Sequence, residues 1–535
     1  MSKENSLSGD SHTETYHHGI GRIAVSSVPM PDEIKLQSGT YTYSGKVLVT
    51  YTTDKDLHRK DFFNLASMND DGTDFKVIFS GEITAKPKAN GIRFLPFQDN
   101  TRVLLGDYVL ECIPDIDTCI SAKLVPIVYP SYIEADPKTT HHWSEIIIAP
   151  DNKHVSWTLL RADMGGGAAI GVLEREADAY MITNVQLISS LSNFDPDPNR
   201  PGYLIPKPVR GGEVKQFVRG GSAVSVVGGK RNGTPDSIVQ DLSTEEITQI
   251  THTPGYDETT IFSPDERLGI VMSTRFSKAT DPAIFGLLPR PYALQTLMGM
   301  AWSLYMYAVS GVRQFRRGNI GPVMIDIQRS MNETGYQGIQ LTTDEDWVYC
   351  SPMSWHPNGK HVMWPEMARG SGGSQMRLQK AELLDYEPQA SVPVVETPDD
   401  IPYGIKDLSA LQSVNPDIEG KIAGRSTGYM SFSRSSDGTS GKTEAEYVNF
   451  SDDGVHFYNG YEKAYYDFNL ENRYEADLRL NGSTQGEMKL RATFSPVFGP
   501  SPTKLLFEAD VDGNPKSYGH ATYNGVTLHI SDLSE

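Results

Sequence analysis

Short apolar runs separated by turn-forming residues dominate this chain. Lys46-Val-Leu-Val-Thr-Tyr51 and Glu145-Ile-Ile-Ile148 are β-branched or aromatic and are bounded by Gly, Pro, Asn or Asp. That pattern predicts strands closed by turns. Sustained helical periodicity occurs once, in the charge-free stretch Tyr292 to Val312. Many short strands at regular spacing predict a sandwich, a barrel or a propeller, and an internal repeat decides between them.

A repeat is present. Phe262-Ser-Pro-Asp-Glu-Arg-Leu-Gly-Ile-Val-Met272 is its clearest copy, matched by Ile148-Ala-Pro-Asp-Asn-Lys-His-Val-Ser-Trp157 and Trp355-His-Pro-Asn-Gly-Lys-His-Val-Met-Trp364. Weaker copies are Phe94-Leu-Pro-Phe-Gln-Asp-Asn-Thr-Arg-Val-Leu104 and Tyr43-Ser-Gly-Lys-Val-Leu-Val49. The unit is strand, tight turn, strand: Pro closes the first strand, and Asp, Asn or Gly supplies the turn. Pro96 and Pro150 are 54 residues apart, and Pro150 and Pro264 are 114 apart. A degenerate mark at Leu204-Ile-Pro206 divides the longer interval. Pro264 and Pro357 are 93 residues apart, more than one repeat step, and a non-repeat insertion from Asp281 to Gly318 accounts for nearly all of the excess.

These residues resemble the TolB-type (WD40-like) β-propeller repeat family. Asp241-Leu-Ser-Thr-Glu-Glu-Ile-Thr-Gln-Ile-Thr251, Gly255-Tyr-Asp257 and Phe262-Ser-Pro-Asp265 together look like one blade of it, and Met68-Asn-Asp-Asp-Gly-Thr73 looks like its outer turn. The resemblance spans roughly Lys46 to Tyr386, with Glu266 standing where the family usually has Gly. It implies an all-β propeller of six blades, with seven as the alternative. The family contains interaction scaffolds, lyases and substrate gates, so it leaves function open.

The expected organisation follows. Residues 1–19 form a disordered tail, 20–387 the propeller with a helical insertion at 281–318, 388–427 a linker, and 428–535 a separate β-domain. Met376 to Leu384 is expected to pair with the N-terminal strands near Ile23-Ala-Val25 and Thr40 to Thr52, joining both ends of the propeller and removing open edges. In the C-terminal region, Asn459-Gly460, Asn481-Gly482 and Asn524-Gly525 signal hairpins, as in an antiparallel sandwich or barrel.

The insertion has three readings. Pro291 suits a first helical turn, and Arg313, Arg316 and Arg317 suit the negative end of the helix dipole. Its Met, Trp and Tyr residues fit a buried cap or a homo-oligomer contact, a lid over an apolar substrate, or membrane contact through 291–312.

Charge narrows the function classes. Acidic residues outnumber basic ones 68 to 48, for a formal charge of −20, which argues against a general nucleic-acid binder. Cys112, Cys119 and Cys350 are the only cysteines, too few for a disulfide framework, and there is no Cys-x-x-Cys pair. Met1 to Gly21 has no apolar core of a secretory signal, so the expected compartment is cytoplasmic. Gly438-Thr-Ser-Gly-Lys-Thr443 lacks the first Gly of a phosphate loop and reads as a turn. Asp195-Pro-Asp-Pro-Asn199 and Asp510-Val-Asp-Gly-Asn514 lack the further oxygens a calcium loop needs. The sequence points to no metal and identifies no cofactor.

Candidate chemistry comes from blade geometry. The start of each inner strand and the end of the next strand meet on one face. Counting back from each Pro gives His142 and His141, Tyr256 and Asp257, and Tyr349 near Trp347; the second strands end at Arg161, Arg275 and Glu366. The expected catalytic set is His142, Tyr256, Arg275 and Tyr349, with His141, Arg161, Asp257, Trp347, Glu366 and Trp302 binding substrate. A His or Tyr base facing an Arg could remove a proton beside a carbonyl. The leading expectation is an intracellular lyase or hydrolase-like enzyme acting on a small organic or sugar-derived substrate. Its rival is a non-enzymatic scaffold, which would present an open, flat rim.

Overall fold

A computed structural model describes residues 13–17, 19–59, 61–83, 94–134, 136–140, 144, 146–161, 165–208, 210–228, 234–277, 280–291 and 298–533. The chain lays down antiparallel strand groups in succession. The first has the order Lys35–Tyr41, Val47–Thr52, Phe62–Met68, Lys76–Glu82. The second runs Phe94–Pro96, Arg102–Leu105, Tyr108–Ile113, Ser121–Val128. In the third, Thr139–Thr140 and Ile147–Ile148 both pair with His154–Arg161, followed by Gly165–Arg175 and Tyr180–Leu187. A short parallel pairing, Ile127 with Tyr180, fuses the second and third groups at their outer edges. The fourth starts at Glu213–Val218 and the fifth at Asp257–Phe262.

The sixth group brings an early segment of the chain back to residues 347–383. Trp347–Tyr349 and Ser354–Trp355 pair with His361–Ala368, which pairs with Met376–Leu383. Met376–Leu383 then pairs with Gly21–Ser27, placing Ile23 opposite Leu383 and Val25 opposite Ala381. Thr13–His17 adds one more strand, so part of the expected disordered tail is sheet.

The repeat turns are alike in detail. Gly45, Asn100, Asn152, Glu266 and Gly359 all have positive φ, between 54° and 92°. Each amide donates to the carbonyl three residues back: Thr42, Phe97, Ala149, Ser263 and His356. Glu266 bears this left-handed backbone without being Gly. Its carboxylate accepts the Arg219 amide of the neighbouring group at 2.5 Å, a contact Gly could not make.

Three boundaries differ from the sequence reading. Leu204–Pro206 does not begin a four-stranded group. It pairs with Phe194–Pro196 in a separate hairpin, because the prolines around it leave few amides for a longer ladder. The segment after Pro388 is an ordered strap rather than a free linker. The Val392 amide donates to the Pro264 carbonyl and the Val395 amide to the Gly220 carbonyl. The Thr397 amide reaches Asp151 at 3.0 Å. The C-terminal strands form one eight-stranded meander from Ile418–Ala423 to Val526–His529, not two packed sheets. Its end strands are not paired with each other among the described residues.

That meander closes its apolar face over the insertion. The helix Met298–Tyr305 continues through the wider turn Met306–Ser310 into Gly311–Gln314. Phe285 packs on Tyr474 and Tyr307 on Phe494, each pair 5.9 Å between ring centres. Arg316 is buried across the Tyr307 ring and donates to the Thr503 carbonyl at 2.9 Å. The expected start of the helix, 292–297, lies outside the described residues. No helix among the described residues is long and apolar enough to cross a membrane.

Candidate functional site

The first strands of all six groups border one central cavity of about 1480 Å³. Ile148, Phe262 and Trp355, each two residues before a repeat proline, all reach its wall. Neighbouring inner strands are tied there: Trp355 Nε1 donates to the Ile261 carbonyl at 2.9 Å. At the repeat-turn end, Ser391, Val392 and Val394 of the strap contribute to the wall. At the other end, Trp302, Tyr305, Met306 and Arg313 of the insertion do so.

Strand alternation chooses the inward residues of the fifth group. Tyr256 and Glu258 line the cavity, and Asp257 between them faces the opposite way, as a pleated strand requires. The Tyr256 hydroxyl donates to Glu258 at 3.3 Å. Burial, reinforced by Glu258, pushes the Tyr256 phenol far above its ordinary value and keeps it protonated. On the adjacent strand, Lys215 bridges Glu213 at 3.0 Å and Glu258 at 3.1 Å, with 8% of its side chain exposed. Tyr305 projects from the helix toward this cluster; burial and the Glu258 charge raise its phenol too.

Arg313 occupies the same end of the cavity. Its Nε donates to the Tyr349 carbonyl at 3.2 Å, and the guanidinium lies 6.0 Å from the Tyr349 ring centre. Burial works against its charge, but Cys350, Tyr305, Tyr349 and Glu258 outweigh that and raise its affinity for the proton.

The residues expected from sequence divide. Tyr256, Tyr349 and Trp302 belong to the wall. Arg275 and Asp257 instead form an ion pair at 2.6 Å, with 1% and 0% of their side chains exposed. Ser273 and Thr253 hydroxyls complete the Asp257 shell, so neither charge is available to a ligand. Arg161 is buried against Asp136 at 3.6 Å and donates to the Leu411 carbonyl. Glu366 is buried opposite Arg377 and accepts from it and from Trp364 Nε1, each at 2.8 Å. Trp347 lies under the Arg377 guanidinium, 4.4 Å away. His141 and His142 lie outside the described residues.

The expected site set left out Glu213, Lys215, Glu258, Arg313 and Cys350, and included Tyr305 only as part of the insertion's apolar surface; all of them border the cavity. Alternation from Tyr256 would have found Glu258. Glu213 and Lys215 were hidden because the mark at Pro206 placed the fourth inner strand too early. Among the described residues, no cluster of three or more His, Cys, Asp or Glu side chains could hold a metal ion.

No family model matches the chain, and no curated protein does. Solved structures similar to it include TolB from Acinetobacter baumannii, at 12% identity and TM-score 0.30, covering 65% of this chain and 63% of that one. The chain therefore matches less than two thirds of that TolB. The periplasmic gluconolactonase of Pseudomonas aeruginosa is similar at 12% identity and TM-score 0.30, over 73% of this chain and 99% of that one. The acylaminoacyl peptidase of Pyrococcus horikoshii is similar at 10% identity and TM-score 0.29, over 83% and 57%. Scores of this size do not define a shared fold for the whole chain.

Proposed function

We propose that the chain is a six-bladed, TolB-like β-propeller whose central cavity is a hydrolase-like active site for a small organic molecule. The carrying observation is that Glu258 and Arg313 border one cavity that the insertion meets at one end and the strap at the other. A scaffold that recognises proteins would present a flat rim; here residues of the insertion and of the strap line a concave cavity. A cavity of mixed aromatic and charged lining is the usual setting for small-molecule chemistry. In this reading Glu258 acts as general base toward water or an acidic C–H. The protonated Tyr256 phenol beside it holds the base in place, and Arg313 supplies positive charge on the same cavity wall.

The test is a turnover screen of the full chain against lactones, carboxylic esters and uronate-type sugars, followed by Glu258→Gln. Loss of a general base should lower turnover by about 10²–10⁴-fold with the fold retained. Equal turnover in wild type and Glu258→Gln would contradict the assignment.

A further inference from the structure

The cavity wall carries two cations, and they are provided for very differently. Lys215 has two carboxylates within 3.1 Å. Arg313 has none within ion-pair distance among the described residues. Its Nε is used by the Tyr349 carbonyl, and its Nη2 has only the Met272 sulfur at 4.0 Å. Its Nη1 makes no hydrogen bond within the protein among the described residues, while the side chain borders the cavity. Arg275, Arg290 and Arg161 have carboxylate partners in Asp257, Glu462 and Asp136, and Arg316, also buried, is taken up by the Tyr307 and Thr503 carbonyls and the Tyr307 ring.

An enclosed guanidinium with an unused edge is costly unless an anion completes it. That edge presents parallel N–H donors, which match two oxygens of one anion. Trp302 and Tyr305 of the same helix, 6.0 Å apart and edge to face, border the same space. They offer an apolar surface to the rest of a ligand.

We infer that Arg313 is the receptor for an oxyanion, a carboxylate or a phosphate ester, carried on an apolar or aromatic body that lies against Trp302 and Tyr305. This deepens the cavity assignment above and rests on it. The substrate class is therefore an organic acid or organic phosphate rather than a neutral sugar.

Two dyes with one aromatic body test it: 8-anilinonaphthalene-1-sulfonate, and its neutral counterpart N-phenyl-1-naphthylamine. Titrations by fluorescence use the full chain, Arg313→Gln, Arg313→Lys and Ala301→Phe, the last filling the cavity wall. Only variants that keep the wild-type melting temperature are compared. Wild type should bind the sulfonate at least about tenfold more tightly than the neutral dye, the scale of one charge-assisted contact. Arg313→Gln should erase that preference while leaving the neutral dye unchanged, and Arg313→Lys should keep part of it. A preference that survives Arg313→Gln overturns the oxyanion assignment and leaves the cavity assignment standing. No binding of either dye, or binding of both unaffected by Ala301→Phe, removes the cavity assignment itself. Displacement of the sulfonate by phenylacetate or by phenyl phosphate tells a carboxylate ligand from a phosphate ester. Displacement by neither overturns the inference.

Discussion

Arg290 and Glu462 meet at 3.3 Å inside the C-terminal meander, with 2% and 0% of their side chains exposed. Arg290 belongs to the insertion, so this pair joins the segment over the cavity to the sheet behind it. The hydroxyls of Tyr447 and Tyr474 also donate to Glu462, at 2.9 and 2.8 Å. Removing one partner strands a charge in a dry interior. Glu462→Gln should cost about 3–5 kcal/mol of stability, read by chemical denaturation. A double replacement of Arg290 and Glu462 by methionine should recover most of that loss.

Asp281 opens the insertion, and its titration should be visible in stability. Burial pushes its carboxyl up to about 7, helped by the nearby Asp257 charge and opposed by the Thr274 hydroxyl. Between the ordinary carboxylate value and about 7, the folded state holds a proton that the unfolded chain has lost. Stability must therefore fall as pH rises through that window and level off above it. Asp281 retains some accessible surface, so the fall should be about 2 kcal/mol rather than the full value of the shift. Denaturation midpoints of Asp281→Asn should lack this component between pH 4 and 8. A slope identical to wild type would contradict the assignment.

Gly220 lets the strap approach. Its φ is +70°, and a Cβ built there collides with the Pro393 carbonyl oxygen. Gly220→Ala combines a left-handed backbone with that collision and should cost about 1–2 kcal/mol or more. The mark of the mechanism is local: hydrogen exchange at the Val395 amide, which donates to the Gly220 carbonyl at 3.0 Å, should accelerate before the rest of the chain responds. Uniform acceleration throughout the protein would mean that the strap is not separately held.

Lys215 keeps two carboxylates together. Lys215→Met leaves Glu213 and Glu258 without their shared cation. The variant should be about 2–4 kcal/mol less stable than wild type, read by chemical denaturation, and adding Glu258→Gln should recover part of the loss. A loss unchanged by the second substitution would point to packing alone.

The repeat was legible because its turns obey local rules. Pro, Asp and Gly at fixed positions encode the positive-φ turn at Asn152 and Gly359, and the sequence placed Ile148, Phe262 and Trp355 at equivalent points of the wall. Pairing of Met376–Leu383 with Gly21–Ser27 was legible from the need to close an edge. Counting from a turn was enough to put Tyr256 and Tyr349 on the wall of the cavity. Arg275 and Asp257 were misassigned because position along a strand does not say which way a side chain points; each found the other across the ladder. Arg313 read as a helix-end cation, since nothing local reveals that the C-terminal meander brings its helix onto the cavity.

A crystal structure of the full chain with bound 8-anilinonaphthalene-1-sulfonate shows directly whether Arg313 receives an anion in this cavity. Density is expected inside the cavity, with the sulfonate against Arg313 and the ring system beside Trp302 and Tyr305. Density confined to the outer surface, with the cavity holding only solvent at saturating dye, would contradict it.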